Sequence, residues 1–287
     1  MFLNELDFLE FRLNVLDKYV DYFVISEADI TFSGIKREPI FLKNIHRFEK
    51  WKHKIIYKVC DNTPDQFTNL SILLTKDENR NKIIRSIDKY HHFPKEQTQW
   101  GREFYQRECV LCLLLDCKDN DIILLSDLDE VPNPKVLQEL IKNGILDDNF
   151  YHLMCPIYQY YFNVKKPEHL ETWYGTKICT YKYIKDKESN LLRIDKNAGI
   201  HINNGGWHFS FCGGADLVKD KIQASGHMEL NRPDVINNIQ RNIDNNQDIY
   251  FRYGNQIYDI IKIDDTFPEE LTQNLEKYKK FIKNYGR

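Results

Sequence analysis

The stretch Asp121-Ile-Ile-Leu-Leu-Ser-Asp-Leu-Asp-Glu-Val-Pro132 constrains this chain more than any other. The apolar run Ile122 to Leu125 shows no polar alternation, so it predicts a strand buried on both faces. It delivers Asp127, Asp129 and Glu130 directly past its last apolar residue. Pro132 cannot donate a ladder hydrogen bond, so the strand ends by there. In open α/β sheets ligands sit outside the carboxyl ends of the strands. Three acids crowded at that edge repel one another unless a cation sits among them, and hard oxygen ligands suit Mg²⁺ or Mn²⁺. The competing reading is a solvated acidic turn.

Composition narrows the class. The chain has 287 residues, 42% of them hydrophobic, enough for one large α/β domain or two small ones. A net charge of -3 argues against a general nucleic-acid binder. The seven cysteines are an odd number. The single C-x-x-C, Cys109-Val-Leu-Cys112, lies in the apolar helical run Val110 to Leu115, so a core helix is expected there and not zinc. Reduced thiols and a cytoplasmic location are the expectation. No apolar stretch approaches the ~20 residues of a membrane span.

Periodicity supplies the frame. Leu3, Leu6, Leu9, Leu13, Leu16 and Val20 recur at helical spacing and predict an amphipathic first helix. Strands are expected at Tyr22 to Ser26 and at Lys54 to Cys60. Residues 64–99 are polar and weakly patterned, with a charge-rich helix near 75–90, and read as a surface insertion or lid. A helix from Gln97 to Cys117 carries Arg102, Glu103 and Arg107 and leads into the acidic strand. A short helix follows at Pro134 to Asn143. β-like stretches follow at Phe150 to Phe162, Thr172 to Ile184 and Ile200 to Phe211, then helical patterns at 215–224 and 233–244. The tail from Pro268 to Tyr285 reads as one amphipathic helix. A catalytic domain over 1–250 with a helical extension over 251–287 packed on it is the simplest account.

Asp127-x-Asp129 after an apolar strand permits two chemistries. In one, the pair binds a divalent ion that bridges a nucleotide diphosphate and stabilises charge on the departing group. In the other, Asp127 is a nucleophile and Asp129 an acid/base, as in the D-x-D-x-[TV] signature of haloacid-dehalogenase-like phosphatases, which Asp127-Leu-Asp129-Glu-Val131 fits. That signature normally lies on the first strand of its domain, whereas about 120 residues precede it here.

Five blocks favour the first chemistry. They are Asn4-Glu-Leu-Asp-Phe-Leu-Glu-Phe-Arg-Leu13, Tyr22-Phe-Val-Ile-Ser-Glu-Ala-Asp-Ile-Thr-Phe-Ser-Gly34, Arg102-x4-Gln106-Arg107, Ser126-Asp-Leu-Asp-Glu-Val-Pro132 and Gly206-Trp-His-Phe-Ser-Phe-Cys-Gly-Gly214. Together, over residues 2 to 231, the chain resembles glycosyltransferase family 17, which includes the enzymes that add the bisecting N-acetylglucosamine of N-glycans. The resemblance implies a GT-A-like sheet flanked by helices, a UDP-sugar donor, a glycan or glycoprotein acceptor and inversion in one in-line displacement. It implies that Asp129 ligates Mn²⁺ (or Mg²⁺), with Asp127 on the metal or the ribose and Glu130 near them. Glu27 is then expected near the nucleoside, and Arg102 or Arg107 on the diphosphate. His208, beside Gly205-Gly206, is expected to complete the metal shell or touch the diphosphate, and Trp207 to stack on a sugar. Inversion needs a base for the acceptor hydroxyl. Glu229, in the cluster Ser225-Gly-His-Met-Glu229, and Asp216 are the candidates. Family members with the bisecting activity usually carry a membrane anchor ahead of the catalytic domain, which this chain does not show. A non-catalytic glycan-binding module on the same fold is the third reading.

Overall fold

The computed structural model describes residues 2–89, 93–114 and 116–284. Leu115 and Tyr285, the last residues of two apolar patterns read from the sequence, lie outside the described residues. The chain opens with α1 (Leu6–Leu16), which buries Phe8, Leu9, Phe11, Leu13, Val15 and Leu16, more than the single expected stripe. β1 (Phe23–Ala28) and β2 (Ile55–Cys60) pair in parallel. Next come α2 (Glu78–Lys89) and α3 (Thr98–Leu111), the latter closing at Cys112 and not at Cys117. The acidic stretch forms β3 (Ile122–Leu125) and β4 (Glu130–Pro132), followed by α4 (Pro134–Asn143).

The middle of the chain supplies β5 (Tyr151–Cys155), β6 (Ile157–Gln159), β7 (Val164–Lys165) and β8 (Trp173–Thr180). The short helices α5 (Tyr181–Ile184) and α6 (Ser189–Ile194) lead to β9 (Ile200–Ile202) and β10 (Gly206–Ser210). After α7 (Ala215–Ala224) come α8 (Pro233–Ile236) and α9 (Ile239–Asp244). β11 (Asp259–Ile260) and α10 (Glu269–Gln273) complete the elements used below. The tail is not one helix: α10 ends at Asn274, and only a short 3-10 turn, Lys279–Phe281, follows.

These elements make a mixed α/β fold of three sheets. β1 and β2 form one; β11-β7-β6-β10-β4 and β3-β8-β5-β9 form the others. β3 is therefore an edge strand, paired only with β8 and antiparallel to it. Only Ile123 of the four is buried, which corrects the expectation of a strand covered on both faces. Between β3 and β4 the chain leaves one sheet and enters another. Asp127 and Asp129 occupy that crossing, and Glu130 opens β4.

The described part of residues 64–99 is not a polar surface insertion. Phe67, Leu70, Ile83, Ile84, Ile87 and Phe93 pack with Phe104, Tyr105 and Cys109 of α3 into a core of their own. Cys109 lies there against Cys60, with 2.6 Å between the sulfurs, on α3. At the other end, Phe162 stacks on Phe281 at 4.9 Å and packs on Phe11 at 4.7 Å and Phe209 at 4.6 Å. Each such pair adds about 0.5–1.5 kcal/mol beyond burial. This cluster fastens the C-terminal segment to α1 and β10. No described helix is long and apolar enough to cross a membrane.

The four-stranded sheet makes the fold acid-sensitive. His152, fully buried on β5, has its pKa lowered to about 4 by burial and then by Lys177, its cross-strand neighbour. Unfolding restores an ordinary value near 6.5, so below that pH the unfolded chain takes up the proton first. Stability is expected to fall as pH drops from about 6.5 to 4, by roughly 2–3 kcal/mol from this group. Urea midpoints across that range check it: His152→Gln should flatten the acid limb, and an unchanged limb refutes the assignment.

Candidate active site

The acidic crossing is held in shape by residues far away in sequence. Arg12, from the middle of α1, donates through Nη1 to the backbone carbonyls of Asp127 (3.1 Å), Leu128 (3.2 Å) and Glu130. Burial lowers this guanidinium to about 10, against the pull of Glu130, Asp129 and Asp127, so it stays charged at neutral pH. Ser126 Oγ donates to the Glu130 carbonyl at 3.0 Å, and the Asp127 amide donates to Glu130 Oε2 at 3.1 Å. On the far side β10 lies antiparallel to β4, with His208 opposite Glu130 and Trp207 opposite Val131. A Cβ on Gly206 would sit 2.3 Å from the Val131 carbonyl oxygen, so only glycine admits this approach. The close contact read from Gly205-Gly206 is thus with β4 and Leu153, not with a ligand.

Each acid has a cation of the protein's own. Asp127 Oδ2 is 2.7 Å from Arg193 Nη2 and 3.7 Å from Arg107 Nη2. Burial alone would raise its pKa, but Arg193 and Arg107 more than offset that and hold the carboxyl well below the usual range. Asp129 Oδ2 is 2.6 Å from Lys221 Nζ. Burial is again outweighed, here chiefly by Lys221, and the pKa is lowered. Glu130, fully buried, accepts from Trp173 Nε1 at 2.8 Å and Arg193 Nη1 at 3.2 Å. The repulsion argument made from sequence is therefore corrected. Arg193, Arg107 and Lys221 neutralise the acids, and the cluster does not by itself require a metal.

Asp127 and Asp129 form one wall of a cleft of about 240 Å³, open to solvent. Its other walls come from Phe2 to Glu5, from Ala28 to Phe32 after β1, from Glu103, Gln106 and Arg107 on α3, and from Lys221 to His227. No residue of the described part of 64–99 lines it.

A divalent ion can be tested against these atoms. Among the described residues no three His, Cys, Asp or Glu side chains converge as a metal-binding group. One pair does fit. His208 Nδ1 is buried without a hydrogen-bond partner among the described residues and lies 3.8 Å from Asp129 Oδ1. Burial lowers the His208 pKa despite the pull of Asp129 and Glu130, which keeps the ring neutral and a lone pair available. Its ring is stacked on Trp173 at 4.3 Å, which fixes its plane. Asp129 and His208 suit two positions of a metal shell, leaving the others to water or ligand oxygens. Asp127, engaged by two guanidinium groups, is less suited.

The remaining sequence candidates divide cleanly. Arg107 lines the cleft, ion-paired with Glu103 at 2.6 Å. Arg102 does not; it donates to the Phe32 carbonyl at 3.1 Å and braces the loop that forms part of the wall. Glu27 is fully buried behind that wall, accepting from Arg37 (2.7 Å), the Ile40 and Phe41 amides (2.7 and 3.0 Å) and Tyr57 (2.9 Å). Those four bonds fill its acceptor capacity, so its position serves the fold and not a nucleoside. Trp207 belongs to the main core and offers no face to a sugar. Asp216 is exposed in the first turn of α7, away from the cleft lining. Glu229 is exposed and reaches the cleft only through His227.

Four partners escaped the sequence reading: Arg12, Trp173, Arg193 and Lys221. Arg12 left a signal, since it shares the face of Phe8, Leu9 and Leu16, where a charge must find partners. Nothing comparable marks Arg193 or Lys221.

Comparison with known proteins agrees with this arrangement of blocks. The family described as "Glycosyltransferase family 17" matches residues 1–87 and 67–283. The β-1,4-mannosyl-glycoprotein 4-β-N-acetylglucosaminyltransferase of Rattus norvegicus is 22% identical over 239 residues, covering 73% of this chain and 38% of its own length. The Homo sapiens protein of the same name is 21% identical over 239 residues, covering 73% and 39%. The chain thus spans under two fifths of the length of these curated relatives. No solved structure matches it.

Proposed function

The chain belongs to glycosyltransferase family 17, and from that premise we propose that it transfers a sugar, N-acetylglucosamine first among candidates, from a UDP-sugar to a glycan. The named relatives support the sugar and suggest a β-mannosyl glycan as acceptor. We read the fold as GT-A-like, with the donor lying across the acidic crossing. The transfer is read as metal-dependent and inverting.

One observation carries the metal dependence. Asp129 Oδ1, on the cleft wall, lies 3.8 Å from His208 Nδ1, which is buried without a hydrogen-bond partner among the described residues. Because Arg193, Arg107 and Lys221 already balance the acids, a divalent ion held by that pair would add the positive charge that a nucleotide diphosphate calls for. When bound, such an ion supplies charge stabilisation for the departing diphosphate. The chain's own groups do the rest. Arg107 and Lys221 face the cleft as further counter-charges, Trp173 and Arg193 hold the acids in place, and Phe32 and Ile30 offer apolar surface to the donor. The phosphatase reading is set aside, because the family match extends over both ends of the chain and not over the D-x-D segment alone.

Calorimetric titration of UDP and UDP-N-acetylglucosamine, with and without Mn²⁺, tests the reading. Binding is expected only with metal. If no UDP species binds with Mn²⁺ present, the transferase reading falls.

A further inference from the structure

The cleft carboxylates are poor bases. Asp127 and Asp129 are ion-paired and depressed, Glu103 is bound to Arg107, and Glu5 lies 3.6 Å from Lys221 while accepting two backbone amides. His227 differs. It lines the same cleft, and its Nδ1 is 2.8 Å from Glu229 Oε1. Burial pushes the Glu229 pKa up, but the His227 contact and a backbone hydrogen bond together outweigh it and lower the pKa, so it is ionised at neutral pH and accepts. In the neutral ring the proton therefore sits on Nδ1, and Nε2 carries the lone pair. Among the described residues Nε2 has no partner.

The histidine is also held. Its ring meets the Trp100 ring at 4.7 Å and 85°, and its amide donates to Ser225 Oγ at 3.1 Å. The preceding Gly226 packs so tightly on α3 that a Cβ would lie 2.9 Å from Glu103 Oε2 and 3.2 Å from Trp100. Glu103 pairs with Arg107, and Arg107 faces Asp127. The loop carrying His227 is thus docked on the helix that also faces the acidic crossing.

We propose that His227 is the base that takes the acceptor hydroxyl's proton, with Glu229 as its positioning residue; this rests on the transferase reading above. In the step, the acceptor O–H bond breaks and its proton passes to His227 Nε2. The acceptor oxygen forms the new bond to the anomeric carbon as the bond to the diphosphate breaks, and that electron pair leaves with UDP. The imidazolium, offset by Glu229, then returns its proton to solvent. The charged group in contact with the ring is Glu229 on its own segment; neutral Trp100 meets the ring edge-on, and Glu103 on α3 lies against the preceding Gly226.

The test measures UDP release from UDP-N-acetylglucosamine, with a β-mannosyl glycan as acceptor, across pH, alongside calorimetric UDP binding. Wild type, His227→Gln, Glu229→Gln and Glu229→Asp are compared; both side chains are more than half exposed, so folding is spared. His227→Gln should lower kcat about a hundredfold with UDP affinity within threefold of wild type. Glu229→Gln should lower kcat about tenfold with acceptor KM within threefold of wild type, and Glu229→Asp should recover most of that loss, because the carboxylate orients the ring. Near-normal turnover by His227→Gln, or a Glu229→Gln loss that appears in acceptor KM and not in kcat, overturns the assignment while the transferase reading stands. A wild type that binds no UDP with Mn²⁺ overturns both.

Discussion

Asp129→Ala is expected to abolish metal-dependent UDP binding and to lower sugar transfer by about a thousandfold, a loss of about 4 kcal/mol in transition-state stabilisation. One observation makes Asp129 the more sensitive acid of the pair: its free oxygen faces the unpartnered His208 nitrogen, whereas Asp127, which lines the same cleft, is engaged by two guanidinium groups. The fold should survive, because Lys221 keeps Glu5 as a partner at 3.6 Å and the Asp129 carbonyl still accepts from the Phe209 amide at 2.8 Å. Calorimetry with Mn²⁺ separates this from simple damage. A variant that binds UDP as wild type does, in a Mn²⁺-dependent way, removes Asp129 from the site.

Arg193→Met carries the largest expected effect on stability, about 3–5 kcal/mol at pH 7. Arg193 pairs with the carboxylates of both Asp127 and Glu130, at 2.7 and 3.2 Å. Its removal leaves the fully buried Glu130 and the half-buried Asp127 with fewer counter-charges than they need, which costs more than the pair itself contributed. The sign with pH follows from Asp127. Burial raises its pKa, Arg193 and Arg107 lower it further, and the net depression stabilises the native state above the unfolded value near 3.9. That contribution is lost as pH falls through the acid range. The difference between wild type and Arg193→Met should therefore be full at pH 7 and shrink below about pH 4. Urea unfolding at pH 7 and pH 3 measures it. A difference constant with pH would mean that Arg193 acts through packing and not through charge.

Local pattern was legible where a single element decides it. The helical spacing of Leu6 to Leu16, the apolar run 122–125 and the stop at Pro132 were readable because sterics and hydrogen bonding act within a few residues. The tail misled because its apolar spacing satisfies helical periodicity. Phe267, Leu271, Tyr278 and Phe281 instead reach the core from two short turns. Edge or centre of a sheet was illegible for β3, since that depends on β8, some fifty residues on. The glycines beside His208 were rightly read as sites of close approach, but the partner is a strand.

By itself the sequence determined that three acids leave the end of an apolar strand, and which family shares that block. Their charge state could not be read from it, because each acid's partners lie far along the chain: Arg12 before them, Arg193 and Lys221 after them. Only the tertiary structure decided which acid is consumed by guanidinium groups and which faces an unpartnered histidine. The reason is physical. Coulomb interactions inside a protein depend on through-space distances of a few ångströms, and those are set by packing, not by separation along the chain.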